Sequence, residues 1–122
     1  MAKTVLIVDD SASIRQVVGL TLKGAGYDVV DAVDGRDALS KLDGRKLHLV
    51  ISDVNMPNMD GISFVREMKG RPAYKFTPVI MLTTEAGEAK KRDGQMAGAK
   101  AWVVKPFQPA QMLDAVSKLI MP

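Results

Sequence analysis

The chain has 122 residues, a length that suits one domain built around one hydrophobic core. Hydrophobic residues make up 47% of it and charged residues 25%, which is typical of a folded globular protein and argues against disorder. The net charge of +3 argues against a strongly basic nucleic-acid binder. The absence of cysteine excludes disulfide scaffolds and thiolate zinc sites, and the single histidine excludes sites that need two imidazoles. No apolar run exceeds four residues and the N-terminus lacks the apolar stretch of a signal peptide, so we expect a cytoplasmic protein without membrane insertion.

Strands and helices are predicted to alternate along the whole chain. Short apolar runs rich in β-branched residues predict strands, and apolar residues at helical spacing predict helices. In chain order the predicted pairs of strand and helix are 5–8 and 13–23, 29–30 and 35–42, 49–51 and 61–69, 79–82 and 87–98, and 102–104 and 109–120. Strict alternation indicates an α/β fold with a parallel sheet, right-handed crossovers and helices on both faces.

The character of each run predicts its place in the sheet. The first, third and fourth strands are apolar on both alternations, which is typical of interior parallel strands. The second and fifth are shorter and more mixed, which favours edge positions. Ser11 or Ser13 is the predicted N-cap of the first helix, and Asp34 that of the second. The helix over 87–98 is the weakest, because each internal glycine costs about 1 kcal/mol relative to alanine.

Some polar and aromatic residues are interpreted as structural. The basic run at residues 90–92 is expected to form a solvated helix face rather than a DNA contact. His48 precedes the third strand and is interpreted as structural. Tyr74 and Phe76 lead into the fourth strand, where we expect their rings to seal a loop.

Polar side chains follow four of the five predicted strands. They are Asp9 and Asp10 after the first strand, Asp53 after the third, Thr83 and Thr84 after the fourth, and Lys105 after the fifth. Each has an ordinary structural interpretation as a helix cap, a turn residue or a surface cation. Because the carboxyl ends of parallel strands meet at one edge of a sheet, however, their convergence indicates a site.

The chemistry of this set points to phosphoryl groups. Two carboxylates about 4 Å apart repel by roughly 4 kcal/mol at an effective dielectric constant near 20, so the cluster needs counter-charges. Lys105 supplies one, and oxygen ligands that leave room for water suit Mg²⁺ as the other. Asp9 and Asp10 are interpreted as a metal-holding pair. Asp53 precedes a loop with Pro and Gly that can offer a carbonyl oxygen, so Asp53 is the candidate nucleophile for an aspartyl phosphate.

These motifs resemble the receiver domain of two-component response regulators, and within that family the single-domain chemotaxis regulators. The segments that carry the resemblance are Val8-Asp9-Asp10, Asp53-Val-Asn-Met-Pro-Asn-Met-Asp-Gly61, Thr83 and Lys105-Pro106-Phe107. The resemblance implies a flavodoxin-like (βα)5 fold, a doubly wound five-stranded parallel sheet in the order 2-1-3-4-5. It also implies that residues 1–122 form one receiver domain without an output domain, and that the protein is a monomer.

The resemblance assigns roles around the phosphoacceptor. Asp53 would accept a phosphoryl group from a histidine kinase and ligate Mg²⁺ together with Asp10 and the backbone carbonyl of Asn55. Asp9 would act on the metal through water. Asn55 and Glu85 fall on the positions that tune dephosphorylation in this family. The protein would act as a regulator that catalyses only its own phosphorylation and dephosphorylation, and a phosphatase is a further possible partner.

The resemblance also implies a switch. Thr83 would swing toward the phosphoryl group, and Lys105 would pair with the phosphoryl group. The peptide bond between Lys105 and Pro106 is expected to be cis. The switch aromatic of the fifth strand, commonly Tyr or Phe in the family, falls on Trp102.

The expected partner surface combines the fourth predicted helix, the fifth strand and the last helix. Lys90, Lys91, Lys100 and Trp102 lie on it, and a flagellar motor switch protein is the expected partner.

Alternative functions remain open at this point. The protein could be a phosphorelay intermediate or a phosphate sink. A phosphatase of the haloacid dehalogenase type is disfavoured, because that chemistry needs a carboxylic acid two residues after the nucleophile, where Asn55 stands. A flavin mononucleotide carrier is disfavoured too, since the acidic loop after the first strand offers no phosphate cradle.

Overall fold

The structure, a computed structural model, describes residues 3–83 and 97–120. Its elements are β1 (Thr4–Val8), α1 (Ala12–Gly24), β2 (Asp28–Ala32), α2 (Gly35–Ser40), β3 (Leu49–Asp53), α3 (Gly61–Lys69), a 3₁₀ turn (Pro72–Tyr74), β4 (Val79–Thr83), β5 (Ala101–Val104) and α4 (Pro109–Leu119). The helix predicted over 87–98 lies outside the described residues except for its last two positions. None of the helices described is both long and apolar enough to cross a membrane.

The five strands form one parallel sheet in the order β2-β1-β3-β4-β5. The predicted fold class is therefore confirmed, with the two mixed strands at the edges. The apolar strands β1, β3 and β4 occupy the centre, where helices cover both sides of the sheet. The chain reverses its direction of winding between β1 and β3, so the carboxyl ends of these two neighbours flank the crevice in which doubly wound sheets place their sites.

Two hydrophobic clusters hold the helices onto the sheet. Successive residues of a strand point to opposite faces, so in β1 Val5 and Ile7 join one cluster while Leu6 and Val8 join the other. The first cluster is completed by α1 and α4, whose buried residues are Val18, Leu22, Met112 and Val116. The second is completed by α2 and α3, mainly through Ala38, Phe64, Val65 and Met68.

Helix caps bring further polar groups to the carboxyl edge of the sheet. Ser11, rather than Ser13, caps α1, and its hydroxyl accepts a hydrogen bond from the Ile14 amide at 3.3 Å. The predicted cap at Asp34 is present on α2, and Asp60 caps α3 in the same way. Because helices follow the carboxyl ends of the strands, these caps lie toward the same edge of the sheet as the candidate site.

Three local predictions have clear outcomes. His48 is structural, since its Nδ1 accepts a hydrogen bond from the Thr4 amide at 2.9 Å, at the amino end of β1 and away from the acidic residues at the carboxyl ends of the strands. Tyr74 is 3% exposed and seals a loop, where its hydroxyl accepts from the Gly44 amide and donates to the Arg45 carbonyl. The prediction for Phe76 is wrong, because 88% of this residue is exposed.

Candidate phosphoryl site

The acidic pair lies at the end of β1, and its two members have different surroundings. Asp9 is fully buried and its amide donates to the Ala32 carbonyl of β2 at 3.1 Å, which fixes it against the neighbouring strand. Its Oδ1 accepts from the Ser11 amide and its Oδ2 from Lys105 Nζ, each at 2.9 Å. Asp10 is exposed.

Asp53 faces this pair from the end of β3. It is 6% exposed, and its Oδ1 accepts from its neighbour's amide, Val54 N–H, at 2.9 Å. Lys105 Nζ lies 3.5 Å from the same oxygen. Carboxylate oxygens of Asp9, Asp10 and Asp53 all lie within 4.8 Å of one another, as the convergence of strand ends predicts. We call these three residues the acidic site.

The electrostatics of the acidic site set Asp53 apart. Burial, followed by the charge of Asp9, raises the pKa of Asp53 to about 6, while Lys105 and the Val54 amide oppose the shift. Burial lowers the pKa of Lys105, but its hydrogen bond to Asp9 and the charges of Asp9 and Asp53 outweigh that effect and hold this pKa above its usual value. Lys105 is therefore a permanent cation, whereas Asp53 carries a charge that its surroundings disfavour.

The segment between β3 and α3, residues 54–60, we call the β3–α3 loop. It is closed by a hydrogen bond from the Gly61 amide to the Val54 carbonyl at 2.8 Å. A Cβ at Gly61 would lie 1.9 Å from the Asp53 carbonyl oxygen, so a side chain cannot be placed there without moving the backbone. Asn55 is exposed on this loop, two residues after Asp53.

The ends of β4 and β5 meet beside the acidic site. Thr83 is 1% exposed, and its carbonyl accepts from the Lys105 amide at 2.7 Å. This bond fixes the start of the loop that carries Lys105 relative to the end of β4. The peptide bond between Lys105 and Pro106 is cis, as predicted.

Trp102 lies one strand further from the acidic site. It pairs with Met81 across β4 and β5, is partly buried, and packs against the cluster formed with α2 and α3. Its Nε1 is buried and has no hydrogen-bond partner in the part of the chain that the structure describes. Lys100 is exposed and, with Trp102 and residues of α4, lines a groove of about 360 Å³. The other predicted members of the partner face, Lys90 and Lys91, lie outside the described residues, as do Thr84 and Glu85.

Sequence reasoning missed a second layer of contacts. Arg15 of α1 donates to the Asp9 carbonyl at 2.7 Å and pairs with Asp31 at 3.1 Å. Asp34, two residues after the end of β2, is 8% exposed and accepts from Asn58 of the β3–α3 loop at 2.7 Å. The sequence predicts Asp34 only as a helix cap, because its contact with Asn58 depends on how two loops pack.

The chain belongs to the receiver domains of response regulators: residues 5–117 match the family described as Response regulator receiver domain. The resemblance deduced from the motifs is thereby confirmed.

Its relatives include proteins whose names refer to chemotaxis. Protein PilG of Pseudomonas aeruginosa is 37% identical over 112 residues, which cover 92% of this chain and 83% of PilG. Chemotaxis protein CheY1 of Helicobacter pylori is 39% identical over 117 residues, 94% of each chain. A solved structure of chemotaxis protein CheY4 from Vibrio cholerae superposes with a TM-score of 0.95 at 48% identity and covers 98% of this chain and 100% of that one.

Proposed function

We propose that Asp53 accepts a phosphoryl group from the phosphohistidine of a histidine kinase, in an Mg²⁺-dependent reaction. The observation that carries this proposal is the acidic site itself: three carboxylates within 4.8 Å of one another, with the Lys105 ammonium 2.9 Å from Asp9 and 3.5 Å from Asp53. Membership of the receiver family supports the choice of donor.

The assignment of the nucleophile follows from the hydrogen bonds. Both oxygens of Asp9 are engaged, one by Ser11 and the other by Lys105, and the side chain is fully buried. The contacts of Asp53 with the Val54 amide and with Lys105 both fall on Oδ1, so we assign the attack to Oδ2. This oxygen forms the new bond to phosphorus as the bond to the donor imidazole nitrogen breaks. Lys105 neutralises charge on the transferred group.

The donor set fits Mg²⁺. Asp10, Asp53 and the backbone carbonyl of Asn55 would hold the ion, and Asp9 would act through water. All of these are hard oxygen donors, and the exposure of Asp10 and Asn55 leaves one side open to solvent. A bound Mg²⁺ supplies positive charge to the phosphoryl oxygens, which offsets the repulsion from the acidic site.

Phosphorylation would be transmitted through Thr83 and Trp102 to the surface that includes Lys90, Lys91 and Lys100. We assign a flagellar motor switch protein as the partner, because relatives of this chain carry chemotaxis names. A phosphorelay intermediate or a phosphate sink would use the same phosphorylation site. It would differ from a motor regulator only in what happens to the phosphoryl group or to the phosphorylated protein afterwards. The protein would work in the cytoplasm as a monomer and would not bind nucleic acid. Asn55 and Glu85 would set its rate of dephosphorylation, either alone or together with a phosphatase.

The proposal is tested by labelling with acetyl phosphate. With Mg²⁺ present, intact-mass spectrometry is expected to detect one added phosphoryl group on the wild-type protein and on Asp28→Asn, an exposed control of equal charge change. Asp53→Asn and the chelated wild-type protein are expected to stay unlabelled. Stoichiometric labelling of Asp53→Asn at another single residue would overturn the assignment.

A further inference from the structure

The junction between β2 and α2, residues 32–35, contacts both the acidic pair at the end of β1 and the β3–α3 loop. On one side the Ala32 carbonyl accepts from the Asp9 amide at 3.1 Å. On the other side Asp34 Oδ2 accepts from Asn58 Nδ2 at 2.7 Å, and the Gly35 amide donates to the Met59 carbonyl at 3.3 Å. The same short segment therefore touches the acidic pair and the β3–α3 loop, which come from distant parts of the chain.

The contact with the β3–α3 loop is tight. A Cβ at Gly35 would lie 2.7 Å from Met59 Cγ and 2.8 Å from the Met59 carbonyl oxygen, so the loop lies directly against the first turn of α2. Asn58 has a φ of 68°, a left-handed conformation that asparagine tolerates better than most residues. The hydrogen bond from Asn58 to Asp34 therefore stabilises the turn that the loop makes at Asn58.

The two oxygens of Asp34 have separate tasks. Oδ1 caps α2 by accepting from the Asp37 amide at 2.8 Å. Oδ2 accepts from Asn58 Nδ2 at 2.7 Å. These hydrogen bonds, first the one from Asp37 and then the one from Asn58, lower the pKa of Asp34 and favour its ionised carboxylate.

We propose that Asp34 is a positioning residue, which through Asn58 holds the β3–α3 loop in the conformation that lets the Asn55 carbonyl take part in Mg²⁺ binding. The inference rests on the proposed function, since it assigns to Asn55 a role toward Mg²⁺. Groups that orient metal ligands through one intermediate contact commonly change metal affinity about 10- to 100-fold when they are removed. Asp34 acts on the acidic site in this way, without touching the metal.

The test exchanges the two partners. Asp34→Ser keeps a good helix cap but has no second oxygen to accept from Asn58. Asn58→Asp places two carboxylates face to face at a position where aspartate tolerates a positive φ. The double variant, Asp34→Asn with Asn58→Asp, restores one carboxylate and one amide in reversed positions and keeps the net charge of the wild-type protein. Asp37→Asn is the matched control, because it removes one negative charge from the same turn of α2 and its amide oxygen can still accept from the Val33 amide.

Affinity is measured by calorimetric titration with MgCl₂, and loop order by amide hydrogen exchange of Met59 and Gly61 in metal-free protein. Both single variants are expected to bind Mg²⁺ about 10-fold more weakly and to exchange faster, although one loses and the other gains a negative charge. The double variant and Asp37→Asn are expected to stay within about twofold of the wild-type protein. At saturating Mg²⁺, all variants are expected to label at Asp53 with acetyl phosphate at similar rates.

The possible failures are distinguishable. If the wild-type protein binds no Mg²⁺, the proposed function is wrong and the inference with it. If the wild-type protein binds Mg²⁺ and the single variants match it, the proposed function stands and the role of Asp34 is wrong. The same conclusion follows if the double variant is as weak as the single ones, or if Asp37→Asn loses as much affinity as Asp34→Ser.

Discussion

The ionised form of Asp53 opposes folding. Its pKa is raised to about 6, first by burial and then by Asp9. Because an aspartate of the unfolded chain titrates near 3.9, the folded protein binds this proton more tightly, and the free energy of unfolding falls as the pH rises from about 4 to about 6. At pH 7 the loss is on the order of 2–3 kcal/mol at most. Asp53→Asn is therefore expected to raise the melting temperature in chelator at pH 7, and this advantage disappears below about pH 4.

Differential scanning calorimetry at several pH values measures this effect. Asp28→Asn makes the same charge change at an exposed residue and is expected to leave the melting temperature nearly unchanged. Added Mg²⁺ is expected to stabilise the wild-type protein by mass action, and so to reduce the difference in melting temperature between the wild-type protein and Asp53→Asn. A melting temperature of Asp53→Asn at or below that of the wild-type protein in chelator would contradict the argument.

Among the elements, α3 begins unusually close to the strand before it. A Cβ on its first residue, Gly61, would lie 1.9 Å from the Asp53 carbonyl oxygen and 3.0 Å from Ser52 Oγ. Gly61→Ala therefore has to push α3 away from β3, and we expect a loss of about 2–3 kcal/mol in the free energy of unfolding. Gly24→Ala, where no atom lies within 4 Å of the added Cβ, is expected to gain about 0.5–1 kcal/mol. Urea denaturation compares the two, and equal stability of both variants would rule out the steric argument.

Element order and type could be predicted because apolar periodicity records burial. The interior strands β1, β3 and β4 contain continuous apolar runs at residues 5–8, 49–51 and 79–82, and they are fully or almost fully buried in the fold. The end of α2 could not be predicted in the same way. Leu42 is buried at 6%, so the apolar pattern extends to it, but the Lys41 and Leu42 amides bond three residues back rather than four, and the helix has ended at Ser40. Periodicity reports which side chains are buried, not which backbone hydrogen bonds form.

At the scale of the whole molecule, parallel topology explains why the acidic site could be located from sequence. Once the strands alternate with helices, Asp9 and Asp53 have to share one edge of the sheet, and the structure places them there. The contact between Asp34 and Asn58 spans 24 residues and depends on how two loops pack, which no local pattern encodes. The orientation of Trp102 could not be predicted from sequence either, because its burial depends on neighbours from several elements.

The packing between β4 and β5 predicts how a change at the acidic site reaches the far side of the molecule. Trp102 pairs with Met81, and Thr83 lies two residues after Met81, so all three side chains face the same side of the sheet. One hydrogen bond from the Thr83 hydroxyl to a charged phosphoryl group, at about 1.5–3 kcal/mol, is enough to shift an equilibrium between two arrangements by tenfold or more.

Trp102 is the only tryptophan, so its fluorescence reports on this shift directly. Mg²⁺ with beryllofluoride, a mimic of the phosphoryl group, is expected to change both its emission and its quenching by acrylamide. Thr83→Ser keeps the hydroxyl and should retain the change, whereas Thr83→Ala should bind the mimic, as titration calorimetry can verify, and lose most of it. An unaltered response in Thr83→Ala would show that the hydroxyl does not connect the acidic site to Trp102.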